Sequence, residues 1–188
     1  MSDEIGAAVR RWMGRLGSGR FPGFWRFAGY VFTTDDGCSL HAIVDDGGPA
    51  SEWRGPVVSG GVSLLSAHRE PMGTASLADV VAWCAIEPQP CTRCGCAGHL
   101  PRPSTGDIHK RGKIGPAYIN RERLAWILDG APGDLLGFAW TGPENAVEIW
   151  TEEWRVLLMP IRNTLGRESD PVLKLEAPTL TSNSVEPS

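Results

Sequence analysis

A cluster of cysteines with one histidine is the part of the sequence best suited to chemistry. Three of the chain's five cysteines, Cys91, Cys94 and Cys96, fall within the stretch QPCTRCGCAGH. Cys91 and Cys94 have the C-x-x-C spacing with which two thiolates grip one tetrahedral Zn²⁺, and Gly95 permits the tight turn between them. Cys96 and His99 are the nearest further ligands. The sequence therefore predicts a structural zinc knuckle with a Cys₃His ligand set.

Other interpretations of this cluster stay open. Because the four candidate ligands lie within residues 91–99, they would form a cramped loop, and Cys84 or His109 could replace one of them. A redox-active dithiol is a second interpretation, although such pairs usually lie at a helix N-terminus after a strand, and here prolines and glycines surround the cysteines. Reduced cysteines in a loop are the third. A bound zinc ion would fold a segment that has little apolar core of its own.

Composition limits the class of protein. The chain has 188 residues, of which 41% are hydrophobic and 21% charged, and these values are typical of a single globular domain. No apolar run approaches the roughly 20 residues that span a bilayer, and the N-terminus lacks the pattern of a secretory signal. We therefore expect no membrane association and a cytoplasmic setting with reduced or metal-bound thiols. The absence of GxSxG, HExxH and phosphate-loop motifs favours a protein that is not an enzyme.

The charge is unevenly distributed along the chain. The formal net charge is −4, yet two segments, the first 26 residues and residues 93–123, are basic. Most such clusters are solvated faces, but a basic patch also attracts phosphates. The sequence predicts contacts with duplex DNA from basic helices and one basic loop, through Arg10, Arg11, Arg15, Lys110, Arg111, Lys113, Arg121 and Arg123.

Periodicity predicts an α+β fold. Apolar residues at helical spacing over residues 3–16 indicate a first helix, and the pattern from Phe27 to Val44 indicates a β-hairpin. Two further helices are expected, one capped by Ser76 and one capped by Asn120. An extended KIGPAYI segment, the second of these helices and three strands then give a C-terminal β-α-β-β-β unit. His41 and His68 have no nearby partners in the sequence and are interpreted as surface or satisfied core histidines.

Domain boundaries follow from composition. Residues 1–162 are predicted to form one domain, with the cysteine-rich insertion at about 84–113. Residues 163–188 are polar, contain prolines and have no periodicity. This composition predicts a disordered tail.

The last third of the sequence resembles a known family. The segment INRERLAWILDGAPGDLLGFAWTGPENAVEIWTEEWRVLLMPIR is similar to the C-terminal module of bacterial DNA polymerase sliding clamps, which runs helix, strand, strand, strand and closes on a Met-Pro-Met/Val-Arg signature. Upstream, VFTTDDGCSLHAI resembles the Ala-Thr-Asp-Gly-x-x-Leu hairpin of the same family. The residues that match the closing signature are Leu158, Met159, Pro160, Ile161 and Arg162.

The resemblance implies a scaffold protein. Clamp domains join edge to edge into a ring, and their helices face the DNA backbone with Lys and Arg, which gives the basic helices sequence-independent phosphate contacts. A clamp subunit contains three such domains and this chain has room for one, so a homo-oligomer or a complex with replication proteins is expected. Two alternatives belong to other classes. One is a zinc-stabilised adaptor that binds only proteins, and the other is a metal-dependent enzyme with an open zinc position.

Overall fold

The computed structural model describes residues 3–16, 25–27, 29–34, 39–44, 70–86, 110–161 and 170–178. These residues form an α+β fold, as predicted. The helices are α1 (Asp3–Leu16), α2 (Leu77–Cys84) and α3 (Arg121–Leu128). The strands are β1 (Trp25–Phe27), β2 (Tyr30–Thr34), β3 (Ser39–Val44), β4 (Gly73–Ser76), β5 (Arg111–Ile114), β6 (Ala117–Asn120), β7 (Leu135–Ala139), β8 (Val147–Trp150) and β9 (Trp154–Leu158).

Local capping fixes where α2 and α3 begin. The Ser76 side chain accepts a hydrogen bond of 3.0 Å from the backbone N–H of Asp79, and the Asn120 side chain accepts one of 3.1 Å from that of Arg123. Each bond satisfies a backbone donor that the first turn of a helix leaves unpaired. Both predicted N-caps are confirmed.

Six of the seven strands of the main sheet form two sets of three consecutive strands. The order of the sheet is β1-β2-β3-β9-β8-β7-β4, and every neighbouring pair is antiparallel. The first set belongs to a module that runs α1-β1-β2-β3, and the second to a module that runs α3-β7-β8-β9. The third strands of the two modules pair with each other, from Ser39 with Leu158 to Ile43 with Trp154. Within the described residues, two helix–strand–strand–strand modules therefore meet at β3 and β9, and β4 extends the second one by pairing with β7.

The main core lies on one face of this sheet. Buried side chains of α1, α2, α3 and the β5–β6 hairpin pack against the same face of the strands. The helices also contact each other directly, because the Trp12 indole N–H donates a hydrogen bond of 2.7 Å to the carbonyl of Ile127. A smaller cluster lies on the opposite face and contains Phe32, Leu40, Ala42 and Leu157. None of the helices in the described stretches is long and apolar enough to cross a membrane.

The KIGPAYI segment is a hairpin rather than one extended strand. Strands β5 and β6 pair from Arg111 with Asn120 to Ile114 with Ala117, and the turn contains Gly115 and Pro116. Gly115 has a φ of 55°, and a Cβ at this position would lie 2.4 Å from the Trp140 ring. Only glycine fits this turn, and the Gly-Pro dipeptide was its local signal.

Residues 170–178 differ from the predicted disordered tail. They lie against both the hairpin and the main sheet, with isolated bridges from Val172 to Lys113 and from Glu176 to Thr74. Backbone hydrogen bonds, the ion pair between Arg111 and Asp170, and the buried Leu173 hold this segment. These contacts are too few and too distant in sequence to give a periodic pattern. Residues 163–169 and 179–188 of the predicted tail lie outside the described residues.

Candidate functional site

Arg10 and Arg11 are exposed on α1. The helix buries Val9, Trp12 and Met13 against the sheet, so the two arginines between these positions project from the opposite side. No acidic residue occurs in α1 after its first two residues, Asp3 and Glu4. This helix face therefore offers cationic side chains to an anionic partner.

Arg15 of the same helix contacts the C-terminal end of α3. Its Nη2 atom lies 2.6 Å from the carbonyl oxygen of Trp126 and 2.7 Å from that of Asp129, at the C-terminal end of α3. The guanidinium also lies over the Trp126 ring, at 4.9 Å from its centroid. These carbonyls carry the partial negative charge of a helix C-terminus. Arg15 therefore caps α3 in this structure.

Arg121 has an equivalent position at the end of α2. Its Nη1 atom donates a hydrogen bond of 2.8 Å to the carbonyl of Trp83, and the guanidinium lies 5.7 Å from the centroid of the Trp83 ring. A longer contact of 3.4 Å reaches the carbonyl of Ala85. Sequence patterns alone do not show this role, because the two helices are brought together only by the fold.

The β5–β6 hairpin collects the remaining predicted cations. Arg111 is buried and forms an ion pair of 2.9 Å with Asp170. Lys113 is half-buried, and its ammonium lies 4.9 Å from the centroid of the Tyr118 ring. Arg111 approaches the same ring at 5.3 Å. Arg111 thus serves an internal contact, and Lys113 is the less buried of the two cations.

Lys110 and Arg123 flank this hairpin. Lys110 forms an ion pair with Glu122 in the first turn of α3. Arg123 is half-buried on α3, one residue after Glu122. Among the eight cations predicted to contact DNA, the most exposed are Arg10 and Arg11.

The predicted zinc ligands Cys91, Cys94, Cys96 and His99 lie outside the described residues, as does the alternative ligand His109. The other alternative, Cys84, is part of the main core and is 2% exposed. Burial raises the pKa of this thiol to about 12, although the nearby Arg121 acts in the opposite direction. The described residues contain no group of three or more metal-ligating side chains.

The two ends of the cysteine-rich segment are held close together. The chain leaves the described residues at Ile86, after α2, and returns at Lys110, before β5. Trp83, just before this segment, packs on Gly112, just after it. The contact is so close that a Cβ on Gly112 would lie 2.3 Å from the Trp83 ring. Arg121 also bonds to the end of α2. The fold therefore holds the two ends of this segment together. A metal ion bound within the segment would not have to offset the entropy lost when the ends are joined.

Ser39 and His41 form a polar pair on β3. The Ser39 hydroxyl and His41 Nε2 are 3.0 Å apart, a distance suited to a nucleophile and a base. His41 is fully buried and Ser39 is 3% exposed, with the Trp12 ring edge-on to the imidazole at 6.0 Å. Both side chains lie inside the fold, and the pair is a polar contact within it. Of the two positions that the sequence left open for His41, surface or core, the structure shows the core.

Comparisons with known proteins do not identify a family. No protein-family model matches the chain, and a search of curated proteins finds no match. The likeness to sliding clamps therefore depends on the motifs quoted above and on the order of the elements.

Proposed function

We propose that this chain is a non-enzymatic, DNA-associated factor with a clamp-like domain and a structural zinc knuckle. The observation that carries the proposal is the repeated helix–strand–strand–strand module, whose two copies pair through β3 and β9. The two motifs that resemble sliding clamps fall one in each module. The β2–β3 hairpin contains the first, and α3 to β9 contain the second, followed by Met159 to Ile161.

The exposed cations support an association with DNA. Arg10 and Arg11 are exposed on α1, and the half-buried Lys113 lies over the Tyr118 ring. Such side chains neutralise phosphates without reading base sequence, and the affinity they supply falls with salt. Arg15, Arg111 and Arg121 contribute instead to the internal contacts described above. The proposed interface is therefore smaller than the one predicted from sequence.

The closed ends of the cysteine-rich segment support the zinc knuckle. The proposed ligands are Cys91, Cys94, Cys96 and His99. His109 and Cys84, which packs in the main core, are the alternatives. Such a ligand set satisfies the tetrahedral preference of structural zinc. The proposal requires a reducing compartment such as the cytoplasm, where these thiols stay available to metal.

Binding to a labelled DNA duplex tests the proposed interface. Fluorescence anisotropy across a salt series should show binding at low salt that weakens as salt rises. The double variant Arg10→Ala/Arg11→Ala should bind more weakly to every sequence. Its slope of log affinity against log salt should be smaller by about 2, since each phosphate contact contributes about 0.9.

The matched control removes an exposed cation elsewhere. Lys174 is exposed on the C-terminal segment, so Lys174→Ala should leave the salt slope unchanged. Equal losses in the control and the double variant would contradict an interface on α1. Intact protein that binds no duplex at low salt would contradict association with DNA.

Native mass spectrometry of protein purified without added metal tests the knuckle. We expect one zinc ion per chain, in a closed oligomer. Cys94→Ser should lose the metal, whereas Cys84→Ala should keep it despite some loss of stability, because Cys84 is a core side chain. Loss of zinc in Cys84→Ala but not in Cys94→Ser would reverse the ligand assignment. Intact protein without metal would contradict the proposed zinc knuckle.

A protein-only adaptor is the second candidate. It is favoured by large apolar side chains on the surface, among them Leu135 at 60% and Met72 at 53% exposed. Exposed apolar side chains are typical of surfaces that bind other proteins when they are contiguous. The DNA titration separates the two candidates, because an adaptor of this kind does not bind duplex DNA at any salt concentration.

A further inference from the structure

The main sheet has a second apolar face, on the side opposite the helices. The cluster on this face consists of Phe32, Leu40, Ala42 and Leu157, and the first and third of these are fully buried. Directly paired residues point to the same side of a sheet, and so do residues two apart on one strand, so all four share this surface. Among the described residues, the cluster is built only from strand residues, with Ala146 packed beside it.

An ion pair on the same face is also shielded from water. Glu148 pairs with Leu157 in the strand register and is 2% exposed. Arg155 pairs with Ala42, and its Nη1 atom lies 3.4 Å from Oε1 of Glu148. Charged side chains in the middle of an uncovered sheet face would be solvated. The described helices, the hairpin and Leu173 contribute instead to the core on the other face. The burial of the second face therefore points to a cover supplied by residues outside the described ranges.

Residues 45–69 connect opposite ends of the main sheet. Strands β7 and β9 both pair antiparallel with β8, so they run in the same direction. Strand β3 ends beside the beginning of β9, because Ile43 pairs with Trp154. Strand β4 begins beside the end of β7, where Gly73 pairs with Phe138. The chain between β3 and β4 must therefore pass from one end of the sheet to the other and across β9, β8 and β7, a width of roughly 19 Å.

The ends of the other long connections lie elsewhere. Residues 87–109 leave after α2 and return before the β5–β6 hairpin, and both of these elements pack on the helix side of the sheet. Residues 17–24 connect α1 to β1, the edge strand farthest from β4. Residues 163–169 lead to the ion pair with the hairpin. Of these connections, residues 45–69 have the ends best placed to cross the second face, and they contain the apolar run VSLLS.

We propose that residues 45–69 cross the second face of the main sheet diagonally and cover the cluster around Phe32. The VSLLS run, residues 62–66, supplies the apolar contacts. The helix side is already filled by the three helices and the hairpin, so the second face is the open route across the sheet. Packing of the two apolar surfaces removes both from water, which stabilises the contact. Covered in this way, the cluster is closed to a protein partner.

Photo-crosslinking in the full-length chain tests this placement. Tyr30 is half-buried and packs against the cluster, so p-benzoylphenylalanine in its place puts a reactive aromatic group beside the cover. Peptide mapping by mass spectrometry should locate the crosslink within residues 45–69 of the same chain. The matched control places the same group at Trp126, which is 41% exposed on α3, and should give no crosslink to that segment. A crosslink from position 30 that maps to another segment or joins two chains would overturn the proposal, as would the absence of any crosslink to residues 45–69.

Methyl NMR of a second variant tests the contacts of the apolar run. In Leu64→Ser/Leu65→Ser, the methyl resonances of Leu40 and Leu157 should shift, because the side chains packed on them change. The methyl resonances of Leu124, in the core on the other face, should keep their positions. This measurement separates a direct contact from a general loss of stability, since a destabilised chain that is still folded keeps its native shifts. Unchanged resonances of Leu40 and Leu157 in the folded variant would refute the proposed contact. The crosslink is measured with both leucines in place, so it tests the placement even where this variant does not fold.

Discussion

Arg15 and Arg121 perform the same task at two helix ends. Each places its guanidinium against the last carbonyls of a neighbouring helix and over a tryptophan of that helix, Trp126 in α3 and Trp83 in α2. The last carbonyls of a helix have no partner within the helix and carry partial negative charge. A planar guanidinium can bond to them and stack on an aromatic ring together.

Replacing Arg15 by alanine should lower the free energy of unfolding by about 1–2 kcal/mol, because the α3 carbonyls lose a charged donor and Trp126 loses its stacking partner. Arg15→Lys should recover only part of this loss, since one ammonium cannot reproduce both contacts. Urea denaturation measures the change.

The neighbouring Arg11→Ala is the control for that prediction. Arg11 is exposed on the same helix, and substitutions at such positions usually change stability by less than about 0.5 kcal/mol. If Arg15→Ala were as neutral as Arg11→Ala, the contacts of Arg15 with α3 would not stabilise the fold.

Sequence reasoning could not separate these arginines from Arg10 and Arg11. All four have the same charge and side-chain chemistry, and a phosphate and a helix C-terminus attract them for the same electrostatic reason. Their roles differ because α1 crosses the end of α3, and α3 begins beside the end of α2. That placement depends on the tertiary fold.

At the scale of elements, the β5–β6 hairpin is held from three directions. Trp83 of α2 packs on Gly112, and the segment 170–178 pairs with Lys113. The Ile161 N–H donates a hydrogen bond of 2.9 Å to the carbonyl of Tyr118. The chain that follows β9 thus contacts both edges of the hairpin. This arrangement fixes the point at which the chain returns from the cysteine-rich segment.

Gly112→Ala should disrupt this arrangement. The new Cβ would lie 2.3 Å from the Trp83 ring and 2.9 Å from Cδ of Arg121, so both side chains must move. Overpacking of this kind typically costs about 1–3 kcal/mol, which urea denaturation would detect. Gly14→Ala is the matched control. Gly14 is an exposed helix position with no atom near the new Cβ, so this variant should be more stable by about 0.5–1 kcal/mol. An unchanged stability in Gly112→Ala would contradict the close packing of α2 on the hairpin.

Elements with local signals were predictable from the sequence. Ser76 and Asn120 cap their helices through bonds that span three residues, and the final three strands carry clear apolar patterns. Residues 170–178 lack such a signal. Their Asp170 pairs with Arg111 across 59 positions of the chain, and neither composition nor periodicity records a contact of that range.

At the scale of the whole molecule, the two modules share one core. The main core contains buried residues from α1 and β3 together with residues from α3 and β9. Trp12 of α1 lies 4.7 Å from Trp154 of β9, measured between ring centroids, so the first helix packs directly on a strand of the second module. Each module alone would leave one face of its helix and one edge of its sheet uncovered. The modules should therefore unfold together.

Val156→Ala tests this cooperation at the seam between β3 and β9. Val156 is fully buried and pairs with His41, and loss of its methyl groups with the cavity left behind should cost about 2 kcal/mol. In native-state hydrogen exchange, the free energy of opening for the most protected amides of α1 and α3 should fall by the same amount. Both helices open only when the shared core opens. Val44→Ala, at an exposed position of β3, should leave both helices unchanged. A loss confined to one helix would show that the modules open separately, in which case the paired strands would join two independent folding units.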